Sequence, residues 1–293
     1  MNDLAHIPEE KLQLLERIVA RLRSIDGVKA VVLGGSYASR THHAASDLDI
    51  GIYYTEDEPF PIDEIKKAAH EFSDASPAIV TGFYEWGAWV NGGAWLHTTH
   101  GKVDFLYRNL DHVRRTIEEA CRGITQHDYD QQPTFGFYSV MYLAETNICL
   151  PLYDPQGMVT QLKEQVKKYP PALKTSIVKG SLWLAEFSLL YARDFAAKGD
   201  VYNTVGCITR VASNLTQALF ALNERYYIRD KQVMETISTF AVKPVNYAAR
   251  LNAILACPGG GPETLQASVE ALRTLWQEAA ALAGELYQPA FRL

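Results

Sequence analysis

The sequence predicts an α+β chain in two parts: alternating helices and strands over residues 1–125, then an α-helical bundle over residues 126–293. Three observations predict it. Short apolar runs rich in β-branched residues alternate with amphipathic patterns in the first part. Past residue 125 the strand signals fade and long helical patterns take over. Pro170-Pro171, Gly199-Asp200 and the run from Cys257 through Gly259, Gly260 and Gly261 to Pro262 then punctuate those helices.

Taken in order, Leu12, Leu15, Val19 and Leu22 recur at three- and four-residue steps between Pro8 and Ser24, one face of a helix that packs on a sheet. Val28 to Leu33 reads as a buried strand, which Gly34 and Gly35 break, and a short helix begins at Ser36. Asp47 to Tyr54 is a second strand, followed by a helix over residues 62–73 and two apolar stretches over 78–84 and 86–96. Gly101 to Arg108 is a short strand that holds Asp104 among apolar neighbours. Helices are expected over 133–150, 157–168, 171–198, 202–227, 231–239, 244–255 and 263–287.

Composition narrows the function classes. Hydrophobic residues make up 47% and charged residues 21% of the 293, ordinary for a globular protein. No apolar run approaches the roughly 20 residues that span a bilayer. The first 24 residues are charged and helical in pattern, with no signal-peptide core, so no membrane contact and a cytoplasmic location are expected. Cys121, Cys149, Cys207 and Cys257 are scattered without C-x-x-C spacing and read as reduced thiols. A net charge of −6 without a large basic cluster argues against long DNA or RNA as a partner.

The chemistry concentrates around residues 34–49. Backbone N–H groups at a strand-to-helix turn such as Gly34-Gly35-Ser36 suit a phosphate. Side chains at i and i+2 of a strand share a face, so Asp47 and Asp49 reach the same cation while Leu48 and Ile50 enter the core. Burying the carboxylate of Asp104 among Val103, Phe105 and Leu106 is costly without a counter-charge, which a metal ion supplies. Phosphate cradle and paired carboxylates together suit Mg²⁺-nucleotide chemistry.

Gly34-Gly35-Ser36, then Asp47-Leu48-Asp49 opening an apolar strand, then Asp104 on a later strand, resembles the DNA polymerase β-like nucleotidyltransferase superfamily. An α/β part followed by a helical bundle also resembles the two-domain kanamycin nucleotidyltransferase-type enzymes. The resemblance implies a nucleotidyltransferase-fold mixed sheet with flanking helices. It also implies two Mg²⁺ ions held by Asp47, Asp49 and Asp104, with Asp104 nearest the attacking hydroxyl, and NTP phosphates at Gly34, Gly35 and Ser36. The implied reaction moves NMP from an NTP, ATP foremost, to a hydroxyl of a small aminoglycoside- or lincosamide-like acceptor, releasing pyrophosphate. A homodimer is compatible with it.

Further candidates carry competing readings. Arg40 pairs with the triphosphate or is a surface arginine, and Ser46 binds nucleotide or caps its turn. Lys179 and Lys231 reach the β- or γ-phosphate, as second-domain lysines of the family do, or are solvated helix ends. Trp86, Trp89 and Trp95 stack on a base or acceptor ring or belong to the core. Glu145 is a candidate acceptor-side base. His42 and His43 read as solvated, and His97 and His100 lack the helical setting that zinc spacing would need. An antitoxin-like adenylyltransferase acting on a protein, or a catalytically idle nucleotide-binding module, are the alternative functions. The absence of G-x-G-x-x-G and of GK[ST] excludes a Rossmann dinucleotide binder and a P-loop enzyme.

Overall fold

The structure, a computed structural model, describes residues 4–74 and 76–292, so residues 1–3 of the expected N-terminal helical pattern lie outside the described residues. The chain forms two compact units. The first holds the residues up to Glu119 together with Gln126–Lys168, and the second holds Ala120–Thr125 and the residues from Tyr169 on.

In the first unit, helix α1 (Glu9–Leu22) precedes strand β1 (Ala30–Leu33), the one-turn helix α2 (Gly35–Ala38) and strand β2 (Leu48–Tyr54). Helix α3 (Ile62–Phe72), strands β3 (Ser76–Val80), β4 (Gly93–Thr98) and β5 (Gly101–Asn109) and helix α4 (Leu110–Cys121) follow. A two-stranded ribbon of β6 (His127–Asp128) and β7 (Phe137–Tyr138) leads into helix α5 (Val140–Ile148), strand β8 (Leu150–Tyr153) and helix α6 (Met158–Val166). The six-stranded sheet runs β3-β4-β5-β2-β1-β8. It is mixed, since β2 and β5 pair in parallel while its other neighbours are antiparallel.

Alternation along the strands sorts the two faces of this sheet. Val31, Leu33, Ile50, Ile52, Val103, Phe105 and Tyr107 point one way and form one core with Leu15, Ile18 and Leu22 of α1 and Ile65 and Phe72 of α3. The buried stripe of α1 is Lys11, Leu14, Leu15, Ile18 and Leu22. Leu12 and Val19, expected on that stripe, sit at its half-buried margin. The opposite face carries Asp49, Asp104, Arg108 and Trp95 by the same alternation.

The units do not divide where the sequence was expected to part, at 125/126. The physical reason is β8, which pairs with β1 and so joins residues beyond 125 to the sheet of the first unit. The helix expected over 133–150 is shorter, Val140–Ile148, because Gly136 takes φ 88° in the ribbon turn and β7 precedes α5.

The second unit is helical: α7 (Pro171–Ala197), α8 (Val201–Leu222), α9 (Val233–Ser238), α10 (Tyr247–Ala256) and α11 (Pro262–Ala283). Proline opens α7 and α11, where its missing N–H costs nothing. Asp200 caps α8 by accepting from the Asn203 N–H at 3.1 Å. The Trp276 indole donates to the Leu182 carbonyl at 3.0 Å, tying α11 to α7. Glu186, fully buried in α7, accepts the Tyr287 hydroxyl and the N–H groups of Ala290 and Phe291, which pins the C-terminal segment. All four cysteines are thiols outside any disulfide, and no helix among the described residues is long and apolar enough to cross a membrane.

Candidate active site

The site lies in the first unit, along one rung of its sheet. Gly34 continues β1 by donating its N–H to the Asp49 carbonyl at 2.8 Å. Asp49 pairs with Asp104 across the parallel strands, and Asp104 pairs with Trp95 across the antiparallel ones. Paired residues on neighbouring strands share a face about 5 Å apart. The phosphate-type turn, two carboxylates and an indole therefore stand in that order on one face.

The glycine turn is shaped around Asp49. Gly35 takes φ 57°, and a Cβ there would come 1.7 Å from Asp49 Oδ2. Only a residue without a side chain lets this carboxylate lie against the turn. The first amides of α2 have no partner within the helix, so they and the carboxylate border the same small space. The helix is a single turn, Gly35–Ala38, so its dipole adds little.

The three candidate carboxylates interact electrostatically. Asp104 is pushed up to about 6, chiefly by burial and further by the charges of Asp49 and Asp47, with Lys102 opposing. Burial disfavours the charged form, and the neighbouring carboxylates add to that effect. Among the described residues, no group of three His, Cys, Asp or Glu side chains stands close enough to hold a metal ion by itself. The donor set suits a hard cation that brings other oxygen ligands with it. Mg²⁺ takes one or two carboxylates plus substrate phosphates and keeps several waters, and the missing side chain at Gly35 lets the Asp49 carboxylate lie directly against the turn.

Support for the loop carrying Asp47 was not foreseen. Lys11, buried on α1, donates to the Ser46 carbonyl at 2.6 Å and lies 5.2 Å from the centroid of the Tyr37 ring. One ammonium thereby joins α1, α2 and the residue preceding Asp47. The signal was present, since Lys11 falls four residues before Leu15 on the buried stripe. Ser46 is buried, and its hydroxyl accepts the His43 N–H at 2.9 Å, closing the turn. His42 is half-buried rather than solvated; it stacks on Tyr37 at 4.4 Å, and its Nδ1 is buried without a hydrogen-bond partner.

Other candidates are exposed. Arg40 is exposed just past α2 at φ 58°. Lys179, in the third turn of α7, and Lys231, in an irregular stretch before α9, are exposed residues of the second unit. His97 and His100 are exposed, with His100 Nδ1 3.4 Å from Glu10.

Glu145 is committed elsewhere. It receives Arg108 Nε at 2.9 Å and Nη2 at 3.0 Å, a bidentate pair that leaves it poorly placed as a base. Burial alone would lower the Arg108 pKa, but the Glu145 carboxylate raises it on balance. Trp89 is a core residue against Phe137, His112 and Tyr142. Trp86 instead stacks on Trp95, ring centroids 4.9 Å apart.

Residues 15–81 match the family model of a nucleotidyltransferase domain, a span that includes Gly34, Gly35, Ser36, Asp47 and Asp49 and stops before Asp104. Residues 141–231 match that of a domain of unknown function, DUF4037. No curated protein matches the chain significantly. Among solved structures, a nucleotidyltransferase-like protein from Exiguobacterium sibiricum 255-15 is similar at 8% identity and a TM-score of 0.46, over 94% of this chain and 76% of that one. Over residues 15–81, the span that holds the glycine turn, Asp47 and Asp49, the chain is similar to the nucleotidyltransferase domain family.

Proposed function

We propose that the chain transfers a nucleoside monophosphate from an NTP, ATP foremost, to a hydroxyl of a small acceptor, with Asp47, Asp49 and Asp104 as its catalytic carboxylates. The observation that carries this reading is the single rung on which the Gly34–Ser36 turn, Asp49 and Asp104 succeed one another. The turn would bind the β- and γ-phosphates through its amides, with Ser36 adding a hydroxyl. Asp104, the carboxylate of the rung farther from the turn, would take the proton of the acceptor hydroxyl. The acceptor oxygen bonds to the α-phosphorus as the bond to the bridging oxygen breaks, and pyrophosphate leaves with that electron pair. Asp47, Asp49 and Asp104 would hold Mg²⁺, which when bound neutralises charge on the transferring phosphoryl and the leaving pyrophosphate.

The acidic balance of the chain supports a small acceptor over a long nucleic acid, whose phosphates a net charge of −6 repels. An aminoglycoside- or lincosamide-like acceptor suits an acidic site, and Arg40 is the cation nearest in sequence to the turn. Isothermal titration with non-hydrolysable ATP, GTP, CTP and UTP analogues tests the reading. Binding of one of them that requires Mg²⁺ and disappears in Asp49→Asn is expected. Binding that is indifferent to both would sink it.

A further inference from the structure

The rung does not end at Asp104. Its next member, Trp95, is 45% exposed although it sits mid-strand in β4 with β3 on one side and β5 on the other. Its partner on β3 is Ile79, 57% exposed. Trp86 lies against Trp95 with planes 22° apart, and the strand makes room for it at Gly93, where a Cβ would stand 2.8 Å from Trp86 Cζ3. A stacked indole pair exposed on the face of an inner strand, next to a carboxylate, is the kind of apolar patch that marks a binding site.

We propose that Trp95, backed by Trp86, is the acceptor subsite, and that it selects neutral or cationic compounds in which a flat or pyranose ring bears the reacting hydroxyl. This inference rests on the transfer reading above, because the order of parts along the rung decides which substrate the indole meets. Successive strands are about 4.8 Å apart. The phosphate turn on β1 and Trp95 on β4 therefore flank the carboxylates of β2 and β5 from opposite sides. In-line displacement needs the leaving and attacking oxygens on opposite sides of the phosphorus. With the β- and γ-phosphates at Gly34–Ser36, the attacking hydroxyl arrives from the β4 side, across Asp104.

A ring lying on Trp95 then carries its hydroxyl to the neighbouring residue of the same rung. Charge sets the ligand class. Asp47, Asp49 and Asp104 face this side against Lys102 alone on β5, since Arg108 is neutralised by Glu145. Anionic rings are repelled, while an indole face favours neutral or cationic ones.

Phenyl β-D-glucopyranoside, a neutral probe with an aryl ring and a hydroxylated pyranose, tests this by saturation-transfer NMR, with and without a non-hydrolysable ATP analogue and Mg²⁺. Wild type is expected to take up the probe, Trp95→Ala to weaken it at least about fivefold, as loss of one ring stack implies, and Trp95→Phe to retain it. ATP-analogue affinity should stay within about twofold in Trp95→Ala, because stacking energy lost from the acceptor is not lost from the nucleotide. The proposal is overturned if wild type ignores the probe or if Trp95→Ala binds it like wild type. It is equally overturned if Trp95→Ala loses the ATP analogue, which would make the indole a base platform. If wild type takes up the probe on Trp95 and binds no ATP analogue, the transfer reading fails while the ring site stands.

Discussion

Removing the Glu145 carboxylate would leave the most buried cation of the sheet without its counter-charge. The Arg108 side chain is 6% exposed and Glu145 32%. The guanidinium also donates to the Val90 carbonyl at 3.1 Å and the Tyr107 carbonyl at 2.9 Å, so two of its bonds survive the change. Breaking a fully buried pair costs about 3–5 kcal/mol. The one-third exposure of Glu145 admits water to the vacated place, which brings the expected cost of Glu145→Ala to about 2–3 kcal/mol. Urea unfolding at pH 7, followed by far-UV circular dichroism, reads this as a lower midpoint at unchanged slope. The double variant Arg108→Met with Glu145→Leu should be more stable than Glu145→Ala alone, because it fills the space without orphaning a charge. A Glu145→Ala protein within about 0.5 kcal/mol of wild type, the range of an ordinary surface substitution, would refute the reasoning. So would a double variant less stable than Glu145→Ala.

Three further outcomes follow from the site. Asp104 titrates near 6 in the fold against 3.8 for the free side chain, so its contribution is fully present below pH 3.8 and is lost as pH rises through 6. Asp104→Asn should therefore gain on wild type by about 1–2 kcal/mol between pH 4 and 8 in a urea series with chelator, the full shift discounted for partial exposure; parallel stability curves would contradict this. Gly35→Ala should cost about 1–2 kcal/mol for its left-handed backbone alone and displace the Asp49 carboxylate, read as a lower Tm with loss of nucleotide affinity; an unchanged Tm would count against the geometry. Lys11→Met should lose about 1–2 kcal/mol, the worth of one hydrogen bond from a charged donor plus the carbonyl left at Ser46, and a neutral result in urea would show that the ammonium does not hold the turn.

The strands of the sheet were partly legible. β1, β2 and β5 declared themselves through unbroken apolar runs, and Asp49 and Asp104 through the cost of placing carboxylates inside such runs. β8 did not, because Leu150-Pro151-Leu152-Tyr153 is short and contains a proline that only an edge strand accommodates. Missing it misplaced the division of the chain. Helix α4 is not among the expected helices, although Leu110, Val113, Ile117 and Ala120 are all buried at helical spacing. The candidate site was legible where its residues are local in sequence, at Gly34–Ser36 and Asp47–Asp49. It was not legible where pairing across strands decides, as in the neighbourhood of Trp95 and Asp104 or the commitment of Glu145 to Arg108. No spacing along a chain reports a register between β4 and β5.

The measurement that bears most directly on the account is nucleotide titration with and without Mg²⁺, run side by side on wild type, Asp49→Asn and Asp104→Asn. Wild type should bind one NTP analogue only with the metal present, Asp49→Asn should lose that binding, and all three proteins should keep the same far-UV circular dichroism. Mg²⁺-independent binding of equal affinity in the three, on an intact fold, would contradict the claim that the carboxylates of this rung and the glycine turn form a nucleotidyl-transfer site.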